Sequence, residues 1–215
     1  MPEQAEAEDG PQARGIDRLA GFSDAVVAIA ITLLAIDLPV PDGRDVGALW
    51  ESVRANGGHY AAFLISFIVI AAGWHNHHRV FLSIERADRQ LRVLNTAWLL
   101  AVVLNPFATR LLTTRGAQSL DAHALRFGFY AVLQVLASAV LLAIVRHSAA
   151  HGLAPGMSAS SVARSARSSR RVMLGFALSI PVFFATNSAW LLWFAVPWLL
   201  KGWDRLGRRR RPRTG

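Results

Sequence analysis

The sequence has no cysteine, which excludes disulfide bonds and thiolate metal sites. Cysteine usage therefore does not indicate whether the protein lies in an oxidising or a reducing compartment. It also has none of the short motifs by which many enzymes are recognised: no GxSxG nucleophile elbow, no phosphate-binding loop and no HExxH zinc pattern. The chain is therefore not expected to be an enzyme or to carry a cofactor.

The sequence is, in contrast, rich in apolar residues. Hydrophobic residues make up 53% of the chain and the mean hydropathy is +0.33, which is too apolar for an ordinary soluble domain and indicates a membrane protein. The net charge of +9 comes from basic residues that stand beside the apolar runs, as the flanking charges of membrane spans do. No nucleic-acid partner is expected, because no soluble domain accompanies the basic carboxyl-terminal stretch.

Four apolar runs, at residues 19–38, 60–73, 91–112 and 125–145, are long enough to cross about 30 Å of hydrocarbon as helices. A fifth apolar region, residues 172–200, is too long for one helix. It contains Pro181, Pro197 and the polar stretch ATNS at residues 185–188, a pattern that predicts a hairpin of two short helices. The predicted fold is thus an all-α polytopic membrane bundle with six transmembrane helices.

The basic residues orient this bundle. Most of the 23 lie before the first run, between the second and third, between the fourth and fifth, and after the last. Positive loops stay in the cytoplasm, so both termini are predicted to be cytoplasmic. We expect a disordered acidic tail at residues 1–13, the transmembrane domain at 14–205 and a basic cytoplasmic tail at 206–215. The Ser/Arg-rich stretch at residues 158–171 is predicted to be a mobile cytoplasmic loop.

Polar residues stand at the cytoplasmic ends of the first two predicted helices. Ser23 and Asp24 open an otherwise apolar run, and in this orientation they share a depth with Trp74 and the histidines of HNHH. In one interpretation, Asp24 reaches out to water. In the other, a buried hydrogen-bonded cluster joins the two helices, because a carboxylate at this depth is costly without N–H donors. Arg18 is a further possible partner.

The HNHH stretch also raises the possibility of a metal site. His75, His77 and His78 are spaced by two residues and one residue, so they cannot share one helical face, and no carboxylate pattern accompanies them. A metal site is therefore not predicted.

The first apolar run carries a stripe at three- and four-residue spacing: Val26, Ile29, Thr32 or Leu33, and Ile36. In an ordinary bundle such a stripe faces the core or the lipid. If the helix were repeated around a symmetry axis, the same stripe would form a narrow apolar ring, of a kind that gates ions by excluding water.

Three segments, in order, closely resemble the first three helices of the bacterial transmembrane protein 175 family of potassium channels. They are RLAGFSDAVVAIAITLLAIDLPVP at residues 18–41, FLISFIVIAAGWHNHHRVF at residues 63–81 and LNTAWLLAVVLNPFATRLL at residues 94–112. The resemblance implies a homotetramer of six-helix subunits in a bacterial inner membrane. It also implies that the first helix lines a central potassium pore without a TVGYG filter, and no TVGYG occurs in this sequence.

The resemblance also implies roles for individual residues. Ile29 would form the hydrophobic constriction, Thr32 a ring of hydroxyls for a partly dehydrated cation, and Leu33 and Ile36 the pore wall beyond it. A structural network would hold the pore helix in place, formed by Arg18, Ser23, Asp24, Trp74 and His77 or His78. Potassium ions and membrane lipids are then the expected partners.

One departure from the family pattern is the NPF of the third segment, where Asn105 replaces an apolar residue and is expected to make a polar contact at a helix kink. Two other functions stay open. A proton-coupled secondary transporter would use Asp24 and the histidines as its site, and a noncatalytic scaffold would use the basic tails to recruit partners.

Overall fold

The computed structural model describes residues 11–114, 119–186 and 188–209, and this part of the chain is helical without any β-strand. The helices are α1 (Pro11–Ile36), α2 (Val46–Ala55), α3 (Gly57–Phe81), α4 (Arg89–Val103), α5 (Asn105–Thr113), α6 (Leu120–Ala150), α7 (Ala159–Phe183) and α8 (Leu192–Arg209), with a 3₁₀ turn at Ala189–Leu191 before α8. The predicted all-α class is confirmed.

Four helical stretches are long and apolar enough to cross a membrane: Gly15–Ile36, Gly57–Phe81, Arg89–Thr113 and Leu120–Ala150. They coincide with the four predicted spans. The predicted hairpin of two further helices is present as α7 and α8, joined through the 3₁₀ turn. By length and composition neither of these two helices qualifies as a span within the described residues, so the six-span topology and the cytoplasmic termini stay predictions.

The prediction of a mobile loop at residues 158–171 is wrong, because nearly all of this stretch is the first half of α7. Ser158 caps the helix by accepting a hydrogen bond from the backbone N–H of Ser161. The serines and arginines lie mainly on the outer face of the helix, while Ser169 is buried. The polar composition of this stretch suggested a loop, but the Ser158 cap and the packing of α7 against α6 and α8 stabilise a helix.

The third predicted span is interrupted, as its NPF motif suggested. α4 ends at Val103 and α5 begins at Asn105, with Pro106 in its first turn, where the missing proline N–H costs no helical hydrogen bond. The Asn105 amide donates to the Ala101 carbonyl at 2.9 Å, across the break. The expected polar contact is confirmed, and it lies at the break between α4 and α5.

The sequence did not predict α2, which connects α1 to α3. Asp45 caps it by accepting a hydrogen bond from the Ala48 N–H at 2.8 Å. Of the expected tails, residues 1–10 and 210–215 lie outside the described residues. α1 starts at Pro11 and α8 extends to Arg209.

The core forms where α6 packs against α4, α5 and α7, and where α1 packs against α3 and α4. Leu91, Ala108, Tyr130, Ile144 and Val145 are fully buried there. Large apolar side chains also cover the outside, among them Leu64, Val93, Leu100 and Leu136. A helix bundle that is apolar inside and outside fits lipid surroundings, where close packing holds the helices together.

Candidate functional site

The exposed stripe of α1 consists of Ile29, Thr32, Leu33 and Ile36. Ile29 is 60% exposed, Leu33 41% and Ile36 75%, and Thr32 is exposed between them. Spacings of three and four residues put these side chains on one helical face. The Thr32 hydroxyl donates to the Ile29 carbonyl at 2.8 Å, so the lone pairs of its oxygen stay available to accept hydrogen bonds or to coordinate a cation.

The opposite face of α1 is buried. Ser23, Val27, Ala30 and Leu34 are each at most 4% exposed, and they face α3, α4 and α5. Val26 of the predicted stripe is partly buried against this core. The stripe residues therefore do not fill the interior of their own subunit, and they remain available to contact lipid or other copies of the chain.

An anchoring cluster joins Ser23 and Asp24, near the middle of α1, to α3 and α4. Trp74 Nε1 donates to Asp24 Oδ1 at 2.8 Å, and His78 Nδ1 lies 3.5 Å from Asp24 Oδ2. The side chains of Asp24 and His78 are 36% and 37% exposed. Both ionisable groups thus keep access to the outside, while the Trp74 N–H holds the carboxylate of α1 on α3.

The buried half of the anchoring cluster centres on Asn95 of α4. Its amide nitrogen donates to Ser23 Oγ at 2.9 Å, and its amide oxygen lies 2.8 Å from His77 Nε2. Because an amide oxygen only accepts, His77 donates from Nε2, and its Nδ1 has no hydrogen-bond partner in the described structure. The His77 ring is sandwiched between Phe81 and Trp98, at centroid distances of 4.1 and 4.0 Å.

Two sequence expectations need adjustment here. Arg18 is exposed and makes no hydrogen bond or ion pair within the described part of the chain, so the structure does not bring it into the anchoring cluster. Asn95, which links Ser23 to His77, was not among the predicted network residues. A lone asparagine in the apolar segment LNTAWLL was the signal that could have identified it.

A second group of polar side chains, the interior cluster, joins α3, α5 and α6. The Thr109 hydroxyl lies 2.7 Å from Ser66 Oγ, which lies 3.1 Å from the Tyr130 hydroxyl. Gln134 Nε2 donates to Asn105 Oδ1 at 2.6 Å. All five residues are buried and uncharged. Apart from Asn105, sequence analysis missed this cluster, because single polar residues on separate apolar helices do not reveal their partners.

Residues 18–106 match the sequence profile of a family described as the endosomal/lysosomal potassium channel TMEM175. A Streptomyces collinus protein named as a potassium channel is 45% identical over 95 residues, which are 44% of this chain and 46% of that protein. The crystal structure of a TMEM175 homolog from Chamaesiphon minutus, titled a lysosomal potassium-selective channel, superimposes with a TM-score of 0.67 at 26% identity. That match covers 92% of this chain and 100% of the other.

Over residues 18–106, the chain is similar to the TMEM175 family. It is accordingly a multi-pass membrane protein. The human member, named as an endosomal/lysosomal proton channel, is 38% identical over 88 residues, 37% of this chain and 18% of the human protein. The chain spans about half the length of the curated bacterial relatives it matches. The TMEM175 match contains the exposed stripe and the whole anchoring cluster, whereas α6, α7 and α8 lie outside it.

Proposed function

We propose that the chain is the subunit of a potassium-permeable cation channel, in which the exposed stripe of α1 from several copies surrounds the pore. The single observation that carries the proposal is the exposure of Ile29, Thr32, Leu33 and Ile36 on a helix whose opposite face is buried in the subunit. The six-span topology, cytoplasmic termini, homotetrameric assembly and bacterial inner-membrane location belong to the same proposal.

The pore would close at Ile29. A ring of apolar side chains around a narrow opening excludes water, and ions do not cross a dry constriction. A small rotation or outward tilt of α1 would widen the ring and let water enter. Beyond it, Thr32 would offer hydroxyl oxygens to a cation that has lost part of its hydration shell. Leu33 and Ile36 would continue the wall.

The anchoring cluster supports this mechanism, because it fixes the middle of the pore helix, on the amino-terminal side of the exposed stripe. Asp24 is bonded to Trp74 and Ser23 to Asn95, whereas the rest of the buried face of α1 is mainly apolar. In this arrangement a tilt of the half of α1 that carries the stripe need not break the hydrogen bonds of the anchoring cluster. Ser23, Asp24, Trp74, His77 and His78 therefore act structurally in the proposal and do not contact the ion.

Selectivity for potassium over sodium is expected to be modest, since hydroxyl groups and the cost of dehydration would replace a cage of carbonyl oxygens. Potassium is the proposed ion because the bacterial relatives are named potassium channels. The vertebrate relatives are named proton channels, so proton permeation is the second candidate. A proton-coupled transporter would instead need Asp24 and its histidine partners to change protonation in each cycle.

The test is potassium flux from liposomes that contain the purified full-length chain. Ile29→Ser should raise the flux, because a hydroxyl wets the constriction. The matched control is Leu64→Ser on α3, which is 56% exposed outside the proposed pore and should leave the flux unchanged. Equal flux in wild type and Ile29→Ser would remove Ile29 from the gate. Single-channel current steps in planar bilayers separate a channel from a transporter, and the absence of any flux would favour a scaffold.

A further inference from the structure

A cavity lies behind the carboxyl-terminal end of α1, on the side of α3 and α5. Its volume is about 430 Å³, and in the described part of the chain it separates Asp37 and Pro39, just after α1, from His59 of α3 and from Arg110 and Thr113 of α5. We call it the rear cavity, because α3 and α5 contact α1 on the face opposite the exposed stripe.

Only exposed polar contacts hold the end of α1 beside the rear cavity. Asp37 Oδ1 lies 3.5 Å from Arg110 Nη1, and these side chains are 43% and 70% exposed. The Tyr60 hydroxyl donates to the Pro39 carbonyl at 2.8 Å. An exposed ion pair contributes little stability, so these contacts position the end of α1 without fixing it firmly.

The packing behind α1 is tight at the anchoring cluster and loose toward the rear cavity. Ser23 and Ala30 are at most 1% exposed. Further along, a small cavity of about 20 Å³ lies between Leu34 of α1, Phe63 of α3 and Pro106 of α5, enough for about one water molecule. The rear cavity follows beyond it. The half of α1 that carries the stripe therefore has free space behind it.

This distribution suits a tilt about the anchoring cluster. Asp37 lies 13 positions after Asp24, which corresponds to about 20 Å along a helix. A tilt of about 10° at Asp24 would then carry Asp37 about 3 Å away from the pore axis. Because packed protein interiors do not yield easily, such a movement needs free space behind the helix.

We propose that the rear cavity is the space into which the carboxyl-terminal half of α1 moves when the pore opens, so that filling this cavity keeps the pore closed. The inference rests on the proposed channel function and names the part of the subunit that permits its gating. Arg110 and Thr113 lie beyond residues 18–106, so the family match does not include this wall of the cavity.

The test is thiol labelling, which is specific here because the chain has no cysteine. Thr113→Cys puts one thiol in the wall of the rear cavity, and neutral methanethiosulfonate reagents attach a methyl or a benzyl group to it. In potassium flux from liposomes that contain the full-length chain, the benzyl label should lower the flux about tenfold, as expected for overpacking a space that a helix must enter. The methyl label should lower it less, and dithiothreitol should restore it.

Two controls separate a filled cavity from other causes of inhibition. Thr96→Cys is matched, since the hydroxyls of Thr96 and Thr113 both donate to an arginine carbonyl about one turn earlier, but Thr96 lies on the exposed side of α4. Its benzyl label should leave the flux unchanged. Benzyl-labelled Ile29→Ser/Thr113→Cys should still conduct, because the hydroxyl at position 29 wets the constriction without a movement of α1.

The outcomes distinguish the two proposals. If neither wild type nor Ile29→Ser passes potassium, the channel proposal itself fails. If Ile29→Ser raises the flux, three results would overturn the rear-cavity proposal alone: unchanged flux in benzyl-labelled Thr113→Cys, equal inhibition by the methyl and benzyl labels, or equal inhibition of Thr113→Cys and Ile29→Ser/Thr113→Cys by the benzyl label.

Discussion

The anchoring cluster and the interior cluster show two ways to place polar groups inside an apolar bundle. The anchoring cluster contains a carboxylate and two imidazoles, and its ionisable pair, Asp24 and His78, is more than a third exposed. The interior cluster contains only amides and hydroxyls and is buried throughout. A charge in apolar surroundings costs far more than a hydrogen-bonded amide, which accounts for the exposure of Asp24 and His78, whereas the buried imidazole of His77 is hydrogen-bonded to Asn95.

The two clusters also connect different helices. The anchoring cluster holds α1, whereas the interior cluster joins α3, α5 and α6 and has no member on α1. The helix proposed to line the pore is therefore attached to α3 and α4 by polar contacts near its middle. The helices behind it are also hydrogen-bonded to one another in the interior.

The largest expected effect is that of Asn95→Leu. The substitution removes the partner of Ser23 and leaves the buried His77 ring without a hydrogen bond at either nitrogen, at a cost of about 2 to 3 kcal/mol. A clear fall in the thermal unfolding temperature of the detergent-solubilised protein would show it. The control is Thr96→Val on the exposed side of α4, which should change little. Equal stability of Asn95→Leu and wild type would mean that the anchoring cluster does not hold α1.

A smaller effect is expected in the interior cluster, where all the groups are neutral. Asn105→Leu leaves the Gln134 amide without its acceptor and should cost about 1 to 2 kcal/mol. The double variant Asn105→Leu/Gln134→Leu should cost less than the sum of the two single variants, because it leaves no orphaned amide. Additive losses in thermal stability would show that the two amides are not coupled.

The smallest effect is expected at Asp88, a carboxylate outside both clusters, in the loop before α4. Its pKa lies below the ordinary value of 3.8, first because the carboxylate accepts a hydrogen bond from the Leu91 N–H at 2.7 Å, and then because His147 Nε2 lies 2.7 Å away. The side chain is 36% exposed, so screening keeps its contribution to about 1 kcal/mol or less.

Since this pKa is lowered by folding, the stabilisation is complete above the ordinary carboxyl range and is lost as the pH falls through the lowered pKa. Asp88→Ala should therefore lower the unfolding temperature at pH 6 by more than at about pH 3. Ser119→Ala, which removes the non-titrating cap of α6, should have the same effect at both pH values. If Asp88→Ala lowered the unfolding temperature equally at both pH values, the stabilisation could not be assigned to the lowered pKa of Asp88.

The long apolar runs predicted four spans and the hairpin because these features are local: apolar length, prolines and polar turn residues lie within one segment. The same reasoning failed at residues 158–171, where Ser/Arg composition suggested a loop and a capped helix formed. Sequence analysis also placed Asp24 near Trp74 and His78, because these residues are expected at the same depth in the membrane. It grouped Arg18 with them as well, but the structure does not place Arg18 in the anchoring cluster.

The sequence by itself determined where the helices lie and which ones carry polar residues, because hydropathy and helical periodicity act over neighbouring residues. Only the tertiary structure decided that Asn95 would join Ser23 to His77, that Ser66 would meet Thr109 and Tyr130, and that Ile29 would stay outside the subunit core. These outcomes depend on the rotation and depth of each helix relative to its neighbours. Packing across the whole bundle sets both quantities.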